Sequence, residues 1–375
     1  MSKVFESTMI NGMVLKNRFV RSATWEGMAA DDGSCTPKLI NAMTRLAQGG
    51  VGLIITGHAY VAREGQAGAW QLGIYHDRLT EGLVQMTHAV HEAGGIIVAQ
   101  LAHSGMFADP GLTGSEPIGP SQITGVSRHK IREMTPLDIE TLKADFSRAA
   151  ERAKQAGFDG VQLHAAHGYL LSQFLSPYFN RRKDGYGGPV QHRVRIVVEI
   201  IEDIRRRVGA EYPVLIKMNT RDFIDGGQEL NDAATAAAVL AQNGLDAVEL
   251  SGGTGLSGKL NPVRTGIREE SDEAYFRDAA HTFRERLAIP LILVGGIRSF
   301  SVAEQLIEDG VADYISMSRP FIREPDLINR WKSGDRRKAA CLSDSRCFVP
   351  ARKGEGIYCV ISERNSQSEN GASDG

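Results

Sequence analysis

The sequence predicts an α/β protein folded as a (β/α)8 TIM barrel with an N-terminal hairpin cap and a short C-terminal extension. Three observations carry this. Eight strand-length, β-branched runs alternate with amphipathic helical stretches, the pattern of βα units around a parallel sheet. The 375 residues are enough for a barrel of about 250 residues with insertions. Polar and glycine residues gather just past the C-terminal ends of the runs, where barrels place their chemistry. An open doubly wound sheet shares the alternation, but eight consecutive βα units fit a closed barrel better.

In chain order, Ile10-Asn11-Gly12-Met13 sets an Asn-Gly turn between apolar residues, predicting a hairpin that plugs the bottom of the barrel. Strands are predicted over 18–22, 51–56, 96–100, 160–164, 213–218, 247–251, 290–294 and 313–317. The helices between them are predicted over 37–47, 78–93, 136–156, 192–208, 231–242, 273–286 and 301–309. Thr135-Pro136 followed by acidic residues is a start signal, and Gly157, Gly244 and Gly310 are stop signals. Residues 107–132 are rich in Gly, Pro and Ser without helical periodicity, which reads as a functional cover. The predicted organisation is a barrel over 1–335, an extension over 336–364 and a frayed polar tail over 365–375.

Charge narrows the function. With 43 basic against 45 acidic residues the formal net charge is −2, so no broad positive field exists to hold nucleic acid or an anionic membrane surface. No apolar run nears the roughly 18–20 residues of a membrane span. The N-terminus lacks a basic segment leading into an apolar one, which predicts a cytoplasmic protein. Four cysteines are too few for a disulfide framework, yet Cys341, Cys347 and Cys359 fall within the last 35 residues. Nothing in the composition opposes a homo-oligomer.

Read in order, the strand ends deliver Ser22-Ala23-Thr24-Trp25, His58, Gln100 with His103, His164 followed by Ala165-Ala166-His167-Gly168-Tyr169, Lys217 with Asn219 and Arg221, Ser251, Gly295-Gly296, and Ser318-Arg319. The last two pairs fall on strands seven and eight, where barrels build a phosphate cup: glycines admit close backbone approach and the arginine supplies a fixed positive charge. The plain alternative is tight βα turns with Arg319 paired to a surface carboxylate. Lys217 likewise has a structural alternative as a buried ion-pair partner, less expected at a barrel mouth.

The run His164-Ala-Ala-His167-Gly-Tyr169-Leu-Leu-Ser-Gln-Phe-Leu-Ser-Pro177, continuing through Asn180-Arg181 to Tyr186-Gly-Gly188, resembles the signature of the old yellow enzyme family of FMN-dependent ene-reductases. Leu15-Lys-Asn-Arg18, Gln100-Leu-Ala-His103 and Val294-Gly-Gly296 extend the resemblance over residues 4–330. It implies FMN reduced by NADH or NADPH and hydride transfer to the β-carbon of an α,β-unsaturated carbonyl substrate. It also implies that His164 and His167 bind the carbonyl oxygen and that Tyr169 protonates the α-carbon, all three contacting substrate. The flavin would lie against Ser22, Ala23, Thr24, Trp25, His58, Gln100 and His164, with Lys217 near its N1–O2 edge and Gly295, Gly296, Ser318 and Arg319 at its phosphate. A His-x-x-His pair can also be a metal half-site, but no third ligand stands in register, and no metal is assigned.

The resemblance breaks in three places. Trp25 stands where relatives often carry Cys or Thr, and an indole cannot form a covalent flavin link, so FMN should be bound non-covalently. Met106 replaces a frequent arginine, leaving the charge preference for substrate open. In larger relatives such as 2,4-dienoyl-CoA reductases, four cysteines after the barrel hold a [4Fe–4S] cluster that relays electrons from an FAD domain. Here Asp344 replaces one thiolate and one spacing is a residue short, which argues against a cluster and for a relic; a three-Cys, one-Asp cluster or a zinc site are the alternatives. No dinucleotide-binding domain is expected after it. Gly253-Thr-Gly-Leu-Ser-Gly258 matches a Rossmann fingerprint, but Pro262 and Gly266 stand where its helix should start. Two other functions keep the barrel: a flavin-free lyase with Lys217 as Schiff-base former, and a flavoprotein subunit taking electrons from a protein partner near residues 341–359.

Overall fold

A computed structural model of the chain describes residues 2–363; the tail expected over 365–375 lies outside them. Eight parallel strands close into a barrel: β1 (Phe19–Arg21), β2 (Leu53–Ile55), β3 (Ile97–Ala102), β4 (Gly160–Ala165), β5 (Val214–Asn219), β6 (Ala247–Ser251), β7 (Leu291–Leu293) and β8 (Tyr314–Met317). Each pairs with the next, β8 returns to β1 with Ile315 opposite Phe19, and β5 meets β6 with Lys217 opposite Glu249. Helices alternate with the strands and bury their outer faces, so the strands run as nearly continuous apolar segments.

The hairpin forms as expected. Thr8–Ile10 pairs antiparallel with Met13–Leu15, and Asn11 and Gly12 take φ of 40° and 80°, as a two-residue type I′ connection requires. Ile10, Met13 and Leu15 pack on Val20, Leu53, Val98, Leu215 and Ile292 of the strands, while the alternate residues Met9 and Val14 face solvent. Asn11 Nδ2 donates to the Ala210 carbonyl at 2.8 Å, fastening the plug to the turn before β5.

The seven barrel helices are α1 (Pro37–Gln48), α2 (Thr80–Glu92), α3 (Pro136–Gln155), α4 (Arg195–Val208), α5 (Leu230–Gln242), α6 (Arg277–Arg284) and α7 (Phe300–Glu308). At the start of α3, Thr135 and Asp138 form a reciprocal capping box with Pro136 in the first turn. The helix expected over 192–208 is split into Val190–Arg193 and α4. That expected over 273–286 shrinks to α6, because the buried Glu273 carboxylate accepts the backbone N–H groups of Arg298 and Ser299 and Ala274 takes a left-handed φ of 53°. The cover over 107–132 contains a short helix, Pro110–Thr113, and a two-residue parallel pairing of Ile118–Gly119 with Arg132–Glu133. It has its own apolar cluster of Met106, Ile123, Val126, Ile131 and Phe179.

After β8 come α8 (Arg319–Arg323) and α9 (Leu327–Lys332), whose Trp331 is fully buried against Phe19 and Phe300. The following segment folds back on the barrel. Arg298 Nη1 donates to the Cys341 carbonyl, and the Ile357 N–H donates to the Glu26 carbonyl at 2.7 Å. Cys347, Ala351 and Ile357 pack with Trp25 and Phe348, so this extension reaches the rim at the end of β1. No helix among the described residues is long and apolar enough to cross a membrane.

Candidate active site

A cavity of about 650 Å³ opens at the C-terminal rim, and every strand end or the turn after it contributes to its lining. Ser22, Ala23, Thr24 and Trp25 follow β1, His58 follows β2, and Gln100 lies in β3. His164, His167 and Tyr169 come from β4 and its turn, and Lys217 from β5; Gly296, Ser318 and Arg319 complete the rim after β7 and β8. Of the residues predicted for the site, Gly295 alone is not part of the lining. It sits behind Gly296 with φ of 147°, and a Cβ there would stand 3.1 Å from the Tyr275 backbone nitrogen.

The turn over 22–25 is braced from below. Arg21 Nη2 reaches Glu26 at 2.8 Å in a buried ion pair, and the same carboxylate oxygen accepts the Gly57 N–H. Thr24 Oγ1 and Ser318 Oγ lie 2.6 Å apart, tying the first strand end to the last.

Below the cavity, Lys217 Nζ donates to Ser22 Oγ at 2.6 Å and to Glu249 Oε1 at 3.0 Å. The ion pair that the sequence left as the less expected role of Lys217 is therefore present, while its side chain still lines the cavity. Glu249 is fully buried. Burial alone would raise its carboxyl, but the Lys217 ammonium and hydrogen bonds from Ser22, Ser316 and Gln162 outweigh it and hold it below the usual range. Gln162 Nε2 donates to Glu249 Oε2, and Gln100 Nε2 to Gln162 Oε1. Glu249 and Gln162 were missed in the sequence.

His164, His167 and Tyr169 converge on one side. The His164 ring centroid lies 5.1 Å from that of His167 and 4.9 Å from that of Tyr169, and Tyr169 Oη is 3.4 Å from His58 Nε2. His167 takes a φ of 64°, a left-handed conformation that costs a non-glycine residue about 1–2 kcal/mol. Its N–H bonds to Asn219 Oδ1 and its Nε2 to Ser251 Oγ at 2.7 Å. His164 Nδ1 and Trp25 Nε1 are buried without a hydrogen-bond partner. Burial pulls His58 down to about 4. Burial, with the nearby Lys217 charge, holds His164 and His167 well below the ordinary histidine value, favouring the neutral rings. Burial also pushes the Tyr169 phenol up to about 12, keeping its proton in place.

At the opposite end, Arg319 donates to Ser345 Oγ and has no ion-pair partner among the described residues. The surface carboxylate considered for it is absent from its contacts. The cavity lining contains Lys217, Arg298, Arg319 and Arg352 and no Asp or Glu. Loop residues that the sequence did not single out close the mouth, among them Val263, Tyr275, Phe276, Phe348 and Arg352. Behind them the Arg264 guanidinium lies over the Tyr275 ring at 4.2 Å and near Phe223 and Phe276.

Cys341, Asp344, Cys347 and Cys359 line a second, small space beside α8 of about 20 Å³, room for roughly one water molecule. Arg323 Nη1 points at Cys359 Sγ at 3.6 Å. Burial raises the Cys341 thiol and pushes Cys347 up to about 11. Among the described residues no three His, Cys, Asp or Glu side chains converge to hold a metal ion.

A carboxylate-free cavity with fixed cations at the C-terminal rim of a barrel has the charge and position suited to an anionic, phosphate-bearing ligand. Residues 3–338 match the NADH:flavin oxidoreductase / NADH oxidase family, and the chain belongs to that family. It is 34% identical to an NADH oxidase of Thermoanaerobacter brockii over 96% of this chain and 58% of that protein. It is 33% identical to an NADPH dehydrogenase of Bacillus subtilis over 86% of this chain and 92% of that one. Among solved structures, the old yellow enzyme homologue from Zymomonas mobilis superposes with a TM-score of 0.76 at 27% identity, covering 90% of this chain and 94% of that one. The chain thus spans little more than half of the first relative and nearly all of the other two. It is a member of the old yellow enzyme family.

Proposed function

We propose that the chain binds FMN non-covalently, takes electrons from NADH or NADPH, and reduces the C=C bond of α,β-unsaturated carbonyl compounds. The observation that carries this reading is the convergence of His164, His167 and Tyr169 in one cavity with Lys217. Several features fit the cofactor: the volume, the four cations with no carboxylate in the lining, and the orphaned Trp25 Nε1 and His164 Nδ1. Ser22, Thr24, Gln100 and Lys217 would hold the ring system, and Gly296, Ser318 and Arg319 the phosphate. When bound, FMN supplies the hydride.

The chain's own residues do the rest. His164 and His167, neutral and presented side by side, can hydrogen-bond a substrate carbonyl oxygen and stabilise the negative charge that develops there. Tyr169, protonated and 4.9 Å from His164 between ring centroids, is placed to give its proton to the α-carbon. Lys217 offers positive charge at the floor. The Schiff-base alternative fares worse, because it needs an unprotonated amine and Lys217 is engaged by Glu249.

The test is direct. Purified protein, reconstituted with FMN, should be yellow, bleach anaerobically with NADH or NADPH alone, and recolour on adding cyclohex-2-enone. A preparation that takes up no flavin overturns the reading. One that binds flavin but needs a protein partner for reduction favours the electron-accepting subunit.

A further inference from the structure

Beneath the cavity floor lies the buried carboxylate of Glu249. Glu249 is wholly enclosed and does not line the cavity, yet its bonds run to three residues that do. Its Oε1 accepts from Lys217 at 3.0 Å, Ser22 at 2.7 Å and Ser316 at 2.8 Å. Its Oε2 accepts from Gln162 Nε2 at 2.9 Å. An ionised carboxylate has no hydrogen to give, so every neighbour must turn a donor towards it. For Gln162, also fully buried, this decides the amide: with its nitrogen committed to Glu249, its oxygen must face Gln100. Gln100 then has to donate its Nε2, at 2.7 Å, and its own oxygen is the group left for the cavity.

The assignment of nitrogen and oxygen in both amides thus follows from the charge of one carboxylate. We propose that Glu249 is a positioning residue that sets the donor–acceptor polarity of the cavity wall through Gln162, so that Gln100 presents an acceptor and selects a ligand edge that donates an N–H. On the flavin reading, on which the choice of ligand rests, that edge is the imide N–H of the isoalloxazine ring. Reversing the relay would set an amide N–H against the imide N–H, two donors with no acceptor between them.

Glu249→Gln permits the reversal. Its amide oxygen still receives Lys217, Ser22 and Ser316, while its new N–H2 can donate to Gln162, turning that amide and then Gln100. The probes are FMN and N3-methyl-FMN, which lacks the imide hydrogen, titrated by flavin fluorescence. Wild type should prefer FMN, and Glu249→Gln should shrink that preference at least tenfold. Equal loss of affinity for both flavins would show that Glu249 only holds the floor together, and would overturn the relay. If Glu249→Gln does not fold, Gln162→Leu serves, since it leaves the Lys217–Glu249 pair in place and frees Gln100 to turn: the preference should again shrink, and an unchanged preference overturns the proposal.

A second arm does not depend on flavin. In protein labelled with 15N-glutamine, the side-chain amide resonances of Gln100 should shift in Glu249→Gln, although no hydrogen bond joins residues 100 and 249 directly. Unmoved Gln100 resonances sink the relay. If wild type binds neither flavin, the cofactor reading fails while this arm still decides the relay.

Discussion

The side-chain oxygen of Asn219 accepts the backbone N–H of His167 at 3.1 Å. That bond crosses from β5 to the turn after β4 and holds His167 in a left-handed conformation a free chain would leave. Asn219 is itself fixed, its Nδ2 donating to Asp222 Oδ1 and the Gly253 carbonyl. Asn219→Ala should therefore destabilise the fold by about 1–3 kcal/mol, the cost of leaving buried partners unsatisfied, as read by urea denaturation. On the proposed reaction it should also lower kcat/KM for an enone about tenfold while sparing flavin reduction by NADPH. An unchanged kcat/KM would detach His167 from substrate binding.

Tyr169→Phe separates proton donation from everything else in the cavity. Flavin reduction should stay within about twofold of wild type, and flavin reoxidation by an enone should slow by about 10²-fold, within the usual range for a general acid. With Tyr169 up at about 12 and His58 down at about 4, neither group titrates between pH 6 and 9. The reoxidation rate should be flat across that range in stopped-flow experiments. A bell centred near neutrality would mean that a different group carries the proton.

The barrel could be read from the sequence because strands buried on both faces appear as unbroken apolar runs, and because their order then dictates which residues meet at the rim. Ser22, His58, Gln100, His164, Lys217 and Arg319 all follow from that one step. Glu249 does not, although it carries a signal: an acid in the middle of the buried β6 segment must find a partner. Finding it requires the register that puts Lys217 opposite Glu249, and register between parallel strands joined through a helix is a tertiary fact. Phe348, on the short helix Phe348–Ala351, and Arg352 just after it line the cavity from beyond the barrel, where the βα alternation that orders the rim residues no longer applies. The helix predicted over 273–286 forms only as α6 for a related reason: its helical pattern begins at Glu273, but the backbone N–H groups of Arg298 and Ser299 claim that carboxylate.

His103 should make the fold acid-sensitive. Its Nδ1 accepts the Gly105 N–H at 3.0 Å, and burial pulls its pKa down to about 3. Unfolding restores a value near 6.5, so the unfolded chain binds the extra proton between those limits and stability rises with pH across them. On lowering the pH, stability should be lost progressively from about 6.5 towards 3. His103→Asn, which can keep the acceptor for Gly105 but does not titrate, should flatten part of that slope in thermal melts run from pH 7 to 4. Parallel slopes for the two proteins would assign the acid loss to other groups.

Lys217 and Glu249 can be tested as a pair by removing one charge and then both. Lys217→Met leaves a buried carboxylate with hydrogen bonds but no counter-charge, and breaking one side of such a pair costs about 3–5 kcal/mol. Adding Glu249→Gln removes the stranded charge and keeps an oxygen for Ser22 and Ser316, so the double variant should recover at least half of that loss. The two sites are adjacent, and their effects should be strongly non-additive in a double-mutant cycle measured by denaturant unfolding. Additive losses would mean that the two side chains, 3.0 Å apart, contribute to stability independently. The double variant also bears on the cofactor: with the fold restored and the ammonium gone, flavin reduction by NADPH should remain slow, because no positive charge is left at the cavity floor to favour a reduced, anionic ring.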